Sequence, residues 1–206
     1  FSQVKAHLKK HSDISELYPV HRLDKMTSGL LIFATSLSSA QMFNDLFKHH
    51  LVEKYYLAIS DTKPSKKQGL IKGDMAKSRR GMYKLMRSMD NPAITQFFSY
   101  SQGEGKRLYM LKPHSGKTHQ LRVALSSIGS PIMGDPLYYS YKSPEPEMKS
   151  TVDRGYLHAY ALKFNFADKQ YEFTLAPNEG ELFVTKNIKN KLNELGQPWL
   201  LSWPKL

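Results

Sequence analysis

The sequence predicts an α+β fold around a mixed, mostly antiparallel sheet, and three observations carry that reading. Residues 93–100 (AITQFFSY) and 106–113 (KRLYMLKP) are alternating, aromatic-rich runs on either side of the turn SQGEG, the pattern of a β-hairpin. Residues 156–166 (YLHAYALKFNF) and 170–176 (QYEFTLA) repeat that pattern across ADK. Apolar residues at helical spacing occur only in short stretches between such runs, which argues against alternating βα units and a doubly wound sheet.

Taken in order, residues 4–11 (VKAHLKKH) read as a short basic helix. LYPVHRLD then leads through a Thr-Ser-Gly turn into a strand, GLLIFATS. Ser38 is expected to cap a helix whose Met42, Phe43, Leu46 and Phe47 make one apolar stripe, which reads as core packing. The next strand is LVEKYYLAISD, followed by a lysine-rich loop, TKPSKKQG. From Gly69 to Asp90, Lys and Arg are interleaved with Met and Tyr without clean periodicity, so an exposed basic arm is expected. Between the hairpins, Leu121, Ala124, Leu125 and Ile128 follow the i, i+3, i+4, i+7 rule, with Thr118 to cap the helix and Gly129 to end it. A final amphipathic helix is expected within residues 179–196, with Pro198 and Pro204 bracketing the tail. The 206 residues suit one substantial core, and a single domain is expected over residues 1–206. Phe1 in place of a methionine suggests sequence upstream.

Thirty Lys and Arg against eighteen Asp and Glu give a formal net charge of +12, which favours a polyanionic partner such as nucleic acid. The longest apolar run, Leu30 to Ala34, is far short of the roughly 20 residues of a membrane-spanning helix. With no cysteine, disulfides, thiolate metal sites and cysteine nucleophiles are excluded, and a cytoplasmic home is expected.

Several motifs compete for chemistry. Gly116-Lys117-Thr118 invites a phosphate-loop reading, but the glycine required five residues earlier is replaced by Leu111, and the reading fails. His7 and His11 stand one helical turn apart, yet no third ligand at recognisable spacing joins them, so no metal is expected. Arg79 and Arg80, with Lys77 and Lys84, read as RNA backbone contacts in preference to a merely solvated face. Tyr55 and Tyr56 follow Lys54 on one strand, whose alternation sends the two rings to opposite faces, so only one of them can enter a shared cleft. Arg122 lies beside the apolar stripe of its helix, where an arginine is ordinarily a surface residue. Asp24 sits between Arg22 and Lys25 at the threshold of an apolar strand. It reads either as a solvated charge or as a carboxylate nucleophile flanked by cations.

HRLDKMTSGLL, EKYYLAI and GKTHQLRVAL, followed by PIMGDPLY and LHA, resemble in that order the RluA-type pseudouridine synthases, from about Val20 to Ala159. The resemblance implies the pseudouridine synthase fold, a long mixed sheet with flanking helices and a central RNA-binding cleft. It also implies isomerisation of selected uridines in RNA without cofactor or metal. It places the catalytic aspartate on Asp24, the active-site tyrosine on Tyr56 and the aspartate-pairing arginine on Arg122. Arg22 falls where the family displaces the target base and Leu121 where it lays an apolar residue under that base. Lys54, Arg79 and Arg80 join these as expected RNA contacts. Lys117 and Ala124 depart from the arginine and histidine more usual there, and the family's opening strand with its Lys-Pro-Gly element is not visible before Phe1.

The expected substrate is ribosomal RNA ahead of transfer RNA, handled by a monomer without an obligate protein partner. Two rivals remain: an RNA-binding module without catalysis, and a glycosylase that releases free base. The usual glycoside hydrolase needs a second carboxylate, for which Asp135 in GDPLY is the candidate.

Overall fold

A computed structural model describes residues 1–12, 14, 16–139 and 152–206. The helix α1 (Ser2–His11) is followed by β1 (Tyr18–Pro19), β2 (Thr27–Gly29), β3 (Phe33–Ala34), α2 (Leu37–Lys48) and β4 (Glu53–Ser60). Next come β5 (Gln68–Gly73), β6 (Met75–Lys77), β7 (Tyr83–Leu85), β8 (Ala93–Gly103), β9 (Lys106–Pro113) and α3 (Gln120–Ser127). The chain ends with β10 (Leu157–Phe166), β11 (Lys169–Thr174) and α4 (Lys186–Leu195).

The central sheet runs β11-β10-β4-β9-β8-β5, antiparallel throughout, and β2 adds to β10 in parallel. Both expected hairpins form. In each, two consecutive residues with positive φ make the turn: Glu104 and Gly105 in one, Ala167 and Asp168 in the other. Turns of that kind match the right-handed twist of the flanking strands. β2 and β11 lie end to end along the same edge of β10, β2 opposite Leu157 to Ala159 and β11 from Ala161 onward. The join of β2 to β10 depends on Gly29, whose φ is +106° and whose missing Cβ would lie 2.2 Å from the Ala159 carbonyl oxygen.

Two cores flank the site. The larger gathers Leu57, Tyr109, Leu111, Leu121, Leu125 and Ile132 with the tail's Trp199 and Trp203. The smaller packs Ala40 and Phe43 of α2 against Val20, Ala34, Leu162 and Phe164.

Several local expectations change. GLLIFATS is not one strand. It breaks between Gly29 and Phe33, because the Leu30 N–H bonds the Ala159 carbonyl (2.9 Å) and the Ile32 N–H bonds the His21 ring (2.9 Å). Ser36, not Ser38, caps α2, its hydroxyl accepting from the Ser39 N–H at 3.2 Å. His119, in a left-handed conformation, precedes α3 in place of Thr118, and Gly129 has positive φ just past the helix as expected. α4 occupies only residues 186–195 of the expected span, with Thr185 as its cap. The basic arm is more ordered than its lack of periodicity implied: β5 joins the central sheet, while β6 and β7 form a separate two-stranded hairpin.

Candidate active site

A cleft of about 770 Å³ opens between the two cores. The loop after β1 supplies Arg22 and Asp24, the end of α2 supplies Phe47 and Lys48, and β4 supplies Lys54 and Tyr56. The segment from Pro113 to Leu121 closes the other wall. Among the described lining residues Asp24 is the only acid, against Arg22, Lys48, Lys54 and Lys117, so the cleft is suited to a polyanion with one carboxylate at its heart.

Strand alternation delivers Lys54 and Tyr56 to the cleft and turns Tyr55 to the opposite face, where it packs against Trp199 and Trp203. Tyr56 is half-buried, and burial together with the nearby charge of Asp24 pushes its phenol up to about 12, so the hydroxyl keeps its proton at neutral pH. Lys54 is buried against the cleft wall and donates to the Val52 carbonyl at 3.3 Å; burial lowers its pKa. Leu121, 7% exposed, belongs at once to the larger core and to the cleft wall.

Asp24 is held on a short, pinned loop. Its carbonyl accepts from the Thr27 N–H at 2.8 Å, closing a turn. Three residues before it, the His21 ring packs at a tilt against Phe47 (4.7 Å between centroids) and accepts the Ile32 N–H. Burial, and secondarily the charge of Lys54, lower the His21 pKa to about 4, so the ring is neutral and fit to accept that bond.

Arg122 is buried, contrary to the surface position its spacing implied. Its Nε and Nη2 hold both oxygens of Asp135 at 2.7 and 2.8 Å, and its Nη1 reaches the Asp24 carboxylate at 3.4 Å. Asp135 is fully buried, and its Oδ1 also accepts the N–H groups of Leu137 (2.9 Å) and Tyr138 (3.1 Å). A carboxylate so saturated is not free to act as the second acid of a hydrolase, which removes the candidate that the sequence offered. It is instead the counter-ion that fixes Arg122 in a bidentate pair. The Tyr138 ring covers the guanidinium from one side, 5.1 Å from its carbon.

The sequence-expected residues thus divide. Asp24, Tyr56, Arg122, Arg22, Leu121 and Lys54 come together at the cleft, with Arg122 touching Asp24 from behind. Arg79 and Arg80 do not line it: they occupy the exposed tip of the β6–β7 hairpin. His21, His119, Asp135 and Tyr138 are the supporting residues whose roles sequence reasoning missed, although each lies inside or beside a motif already quoted.

Comparison with known proteins agrees with this geometry. The family described as RNA pseudouridylate synthase matches residues 2–127. An uncharacterized RNA pseudouridine synthase of Haemophilus influenzae is 46% identical over 192 residues, covering 93% of this chain and 83% of its own length. A ribosomal large subunit pseudouridine synthase C of Rickettsia bellii is 40% identical over 124 residues, 58% of this chain and 41% of that protein. Among solved structures, human RNA pseudouridylate synthase domain containing 1 superposes with a TM-score of 0.68 at 25% identity, covering 84% of this chain and 74% of that one. A basic cleft with one central carboxylate, a family match across more than half the chain and relatives named as RNA pseudouridine synthases converge, and the chain belongs to the RNA pseudouridylate synthases, enzymes that isomerise uridine in RNA.

Proposed function

We propose that Asp24 is the nucleophile of a metal- and cofactor-free isomerisation, in which the N1–C1′ bond of a flipped uridine breaks and a C5–C1′ bond forms. The observation that carries this reading is the buried Asp135–Arg122 pair, which ends on Asp24 at the wall of a basic cleft beside Tyr56. Asp24 attacks ribose C1′, displacing N1, or adds to uracil C6; in either case the uracil turns while held, C5 bonds to C1′, the bond to Asp24 breaks to return the carboxylate, C5 loses its proton to water, and N1 gains one. Tyr56 stacks on the ring and, as a protonated phenol, donates a hydrogen bond toward the uracil as it turns. Leu121 closes the apolar side and excludes water from the reacting centre. The target must first leave its stack, and Arg22, exposed at the cleft rim, fills the space it vacates. Lys54 meets the substrate inside the cleft, and Arg79 and Arg80 meet phosphates outside it.

Ribosomal RNA is favoured over transfer RNA, because the Rickettsia relative is a ribosomal large subunit synthase. The reading is of a single catalytic domain, monomeric and cytoplasmic. Among the described residues no helix is long and apolar enough to cross a membrane.

Asp24→Asn keeps the shape and removes the attacking charge. Release of tritium from C5-labelled uridine in RNA should fall at least about 1,000-fold, on the scale expected when a covalent nucleophile is lost, while RNA binding persists. The wild type should release tritium in the presence of chelator. Near-wild-type turnover by the Asn variant overturns the assignment, and free uracil in the products would mark a glycosylase instead.

A further inference from the structure

The β6–β7 hairpin carries Lys77, Arg79, Arg80 and Lys84, all exposed, yet it stands outside the central sheet. A lone two-stranded hairpin is marginal in water and needs something to lean on. At its base, the Asp74 carboxylate accepts the N–H groups of Asp90 and Asn91 at 3.0 and 2.8 Å. Leu85 of β7 also packs on the larger core, and a polar anchor lies at the active site. The Tyr83 N–H, on β7, donates to the Tyr138 hydroxyl at 2.7 Å, across 55 residues of sequence. The same hydroxyl lies 3.1 Å from Nδ1 of His119. The His119 ring meets Tyr83 edge-on at 5.6 Å and Tyr138 edge-on at 5.8 Å. His119 reaches this position because its backbone takes a left-handed conformation, φ 58°, immediately before α3. With Nδ1 as acceptor, the hydroxyl both accepts and donates, and the polar chain runs from the hairpin to the start of the helix that carries Arg122. The other side of Tyr138 faces the reaction: its ring lies over the Arg122 guanidinium, and its N–H is held by Asp135.

We propose that the Tyr138 hydroxyl is the post on which the basic hairpin docks, making Tyr138 a positioning residue that joins RNA capture by the hairpin to the Asp24–Arg122 pair. The proposal rests on the reading of Asp24 and Arg122 given above. Its logic is that hairpin cations reward RNA binding only while the hairpin is held in place. An undocked hairpin keeps its charge but must be ordered anew at each encounter, and that entropy is subtracted from affinity.

Tyr138→Phe removes the post and leaves the ring over Arg122. The dissociation constant for a fluorescent, structured large-subunit ribosomal RNA transcript should rise about fivefold, roughly the value of one net hydrogen bond. With C5-tritiated total RNA from cells lacking the enzyme, KM should rise by more than kcat falls. In a background where Lys77, Arg79, Arg80 and Lys84 are all alanine, Tyr138→Phe should cost nothing further. Tyr83→Pro removes the donor from the hairpin side, together with the ring that meets His119, without touching Tyr138. It should give a loss at least as large, and adding Tyr138→Phe to it should cost nothing further.

Losses that multiply in the four-alanine background, an unchanged dissociation constant in both folded variants, or a fall confined to kcat would each overturn the proposal. Failure here is separable from failure of the nucleophile assignment. An inactive Asp24→Asn beside a wild-type-like Tyr138→Phe removes the docking post alone, whereas an active Asp24→Asn removes the mechanism on which it rests.

Discussion

Arg122 serves two carboxylates unequally. Asp135 takes the two short, parallel bonds, and Asp24 takes the single longer one. Burial works against the arginine's charge, but the hydrogen bonds and charge of Asp135, and then Asp24, more than offset it and raise its pKa. Removing Arg122 would strand Asp135 inside the protein, a loss of about 3–5 kcal/mol that can unfold the chain for reasons unrelated to catalysis. Arg122→Lys is the sharper experiment, since it keeps a charge and removes the planar fork. Single-turnover tritium release should fall at least about 100-fold, while urea unfolding shows a loss of about 1–2 kcal/mol, as when a strong pair is replaced by a weaker one. Near-wild-type turnover in a folded Lys variant would show that the fork does not aim Asp24. At this scale the sequence made Asp24, Tyr56 and Arg122 legible through the family resemblance, and spacing alone left Arg122 as a surface residue. Spacing could not show that Asp135, thirteen residues on, turns back onto Arg122 as its counter-ion. Nor could it show that Tyr138 meets Tyr83, because both contacts are made by tertiary folding.

The segment between β1 and β3 takes its shape from two pins, one from outside, where β10 holds Leu30, and one from within, where the His21 ring holds Ile32. This is why the sequence suggested one strand there: the local pattern is apolar and continuous, and the break is imposed by a strand some 130 residues later. The two hairpins were legible because their partners are adjacent in the chain and their strands alternate, whereas in the basic arm β5 draws its pairing from β8 and the three-residue strands β6 and β7 are too short to show a period. His21 gives the loop a pH dependence. The folded protein holds its pKa near 4, below the ordinary 6.5, so the unfolded chain takes up the proton first as pH falls. The stability contributed by neutral His21 is therefore complete above about pH 6.5 and is lost as pH falls through 4, amounting to at most about 3 kcal/mol. In His21→Gln the amide oxygen can accept the Ile32 N–H but does not titrate. Urea unfolding at pH 7, 6, 5 and 4 should show a shallower decline for this variant than for the wild type, even if its lost ring packing against Phe47 makes it less stable at pH 7. Parallel curves would show that His21 does not set the acid sensitivity of the loop.

Over the whole molecule, the net charge of +12 and the buried site should respond to salt in different ways. Arg79 and Arg80 are exposed, and if they meet RNA phosphates as proposed they displace counterions, so that their contribution falls steeply as salt rises. The Asp135–Arg122 pair is withdrawn from solvent and is screened far less. A titration from 50 to 300 mM potassium chloride should therefore lower kcat/KM along a straight line in log–log coordinates while kcat at saturating RNA stays nearly level. Arg79→Ala with Arg80→Ala removes up to two phosphate contacts and should flatten that line by about 1.4 to 1.8 in slope, at roughly 0.7 to 0.9 per contact. An unchanged slope would mean that the hairpin tip does not meet the RNA backbone, and the charge responsible would then have to lie in the cleft, on Arg22, Lys48, Lys54 and Lys117. A kcat that falls in step with kcat/KM would mean that salt reaches the chemical step at Asp24, whose carboxylate is partly exposed in the cleft, and that the buried Asp135–Arg122 pair behind it does not shield the reaction.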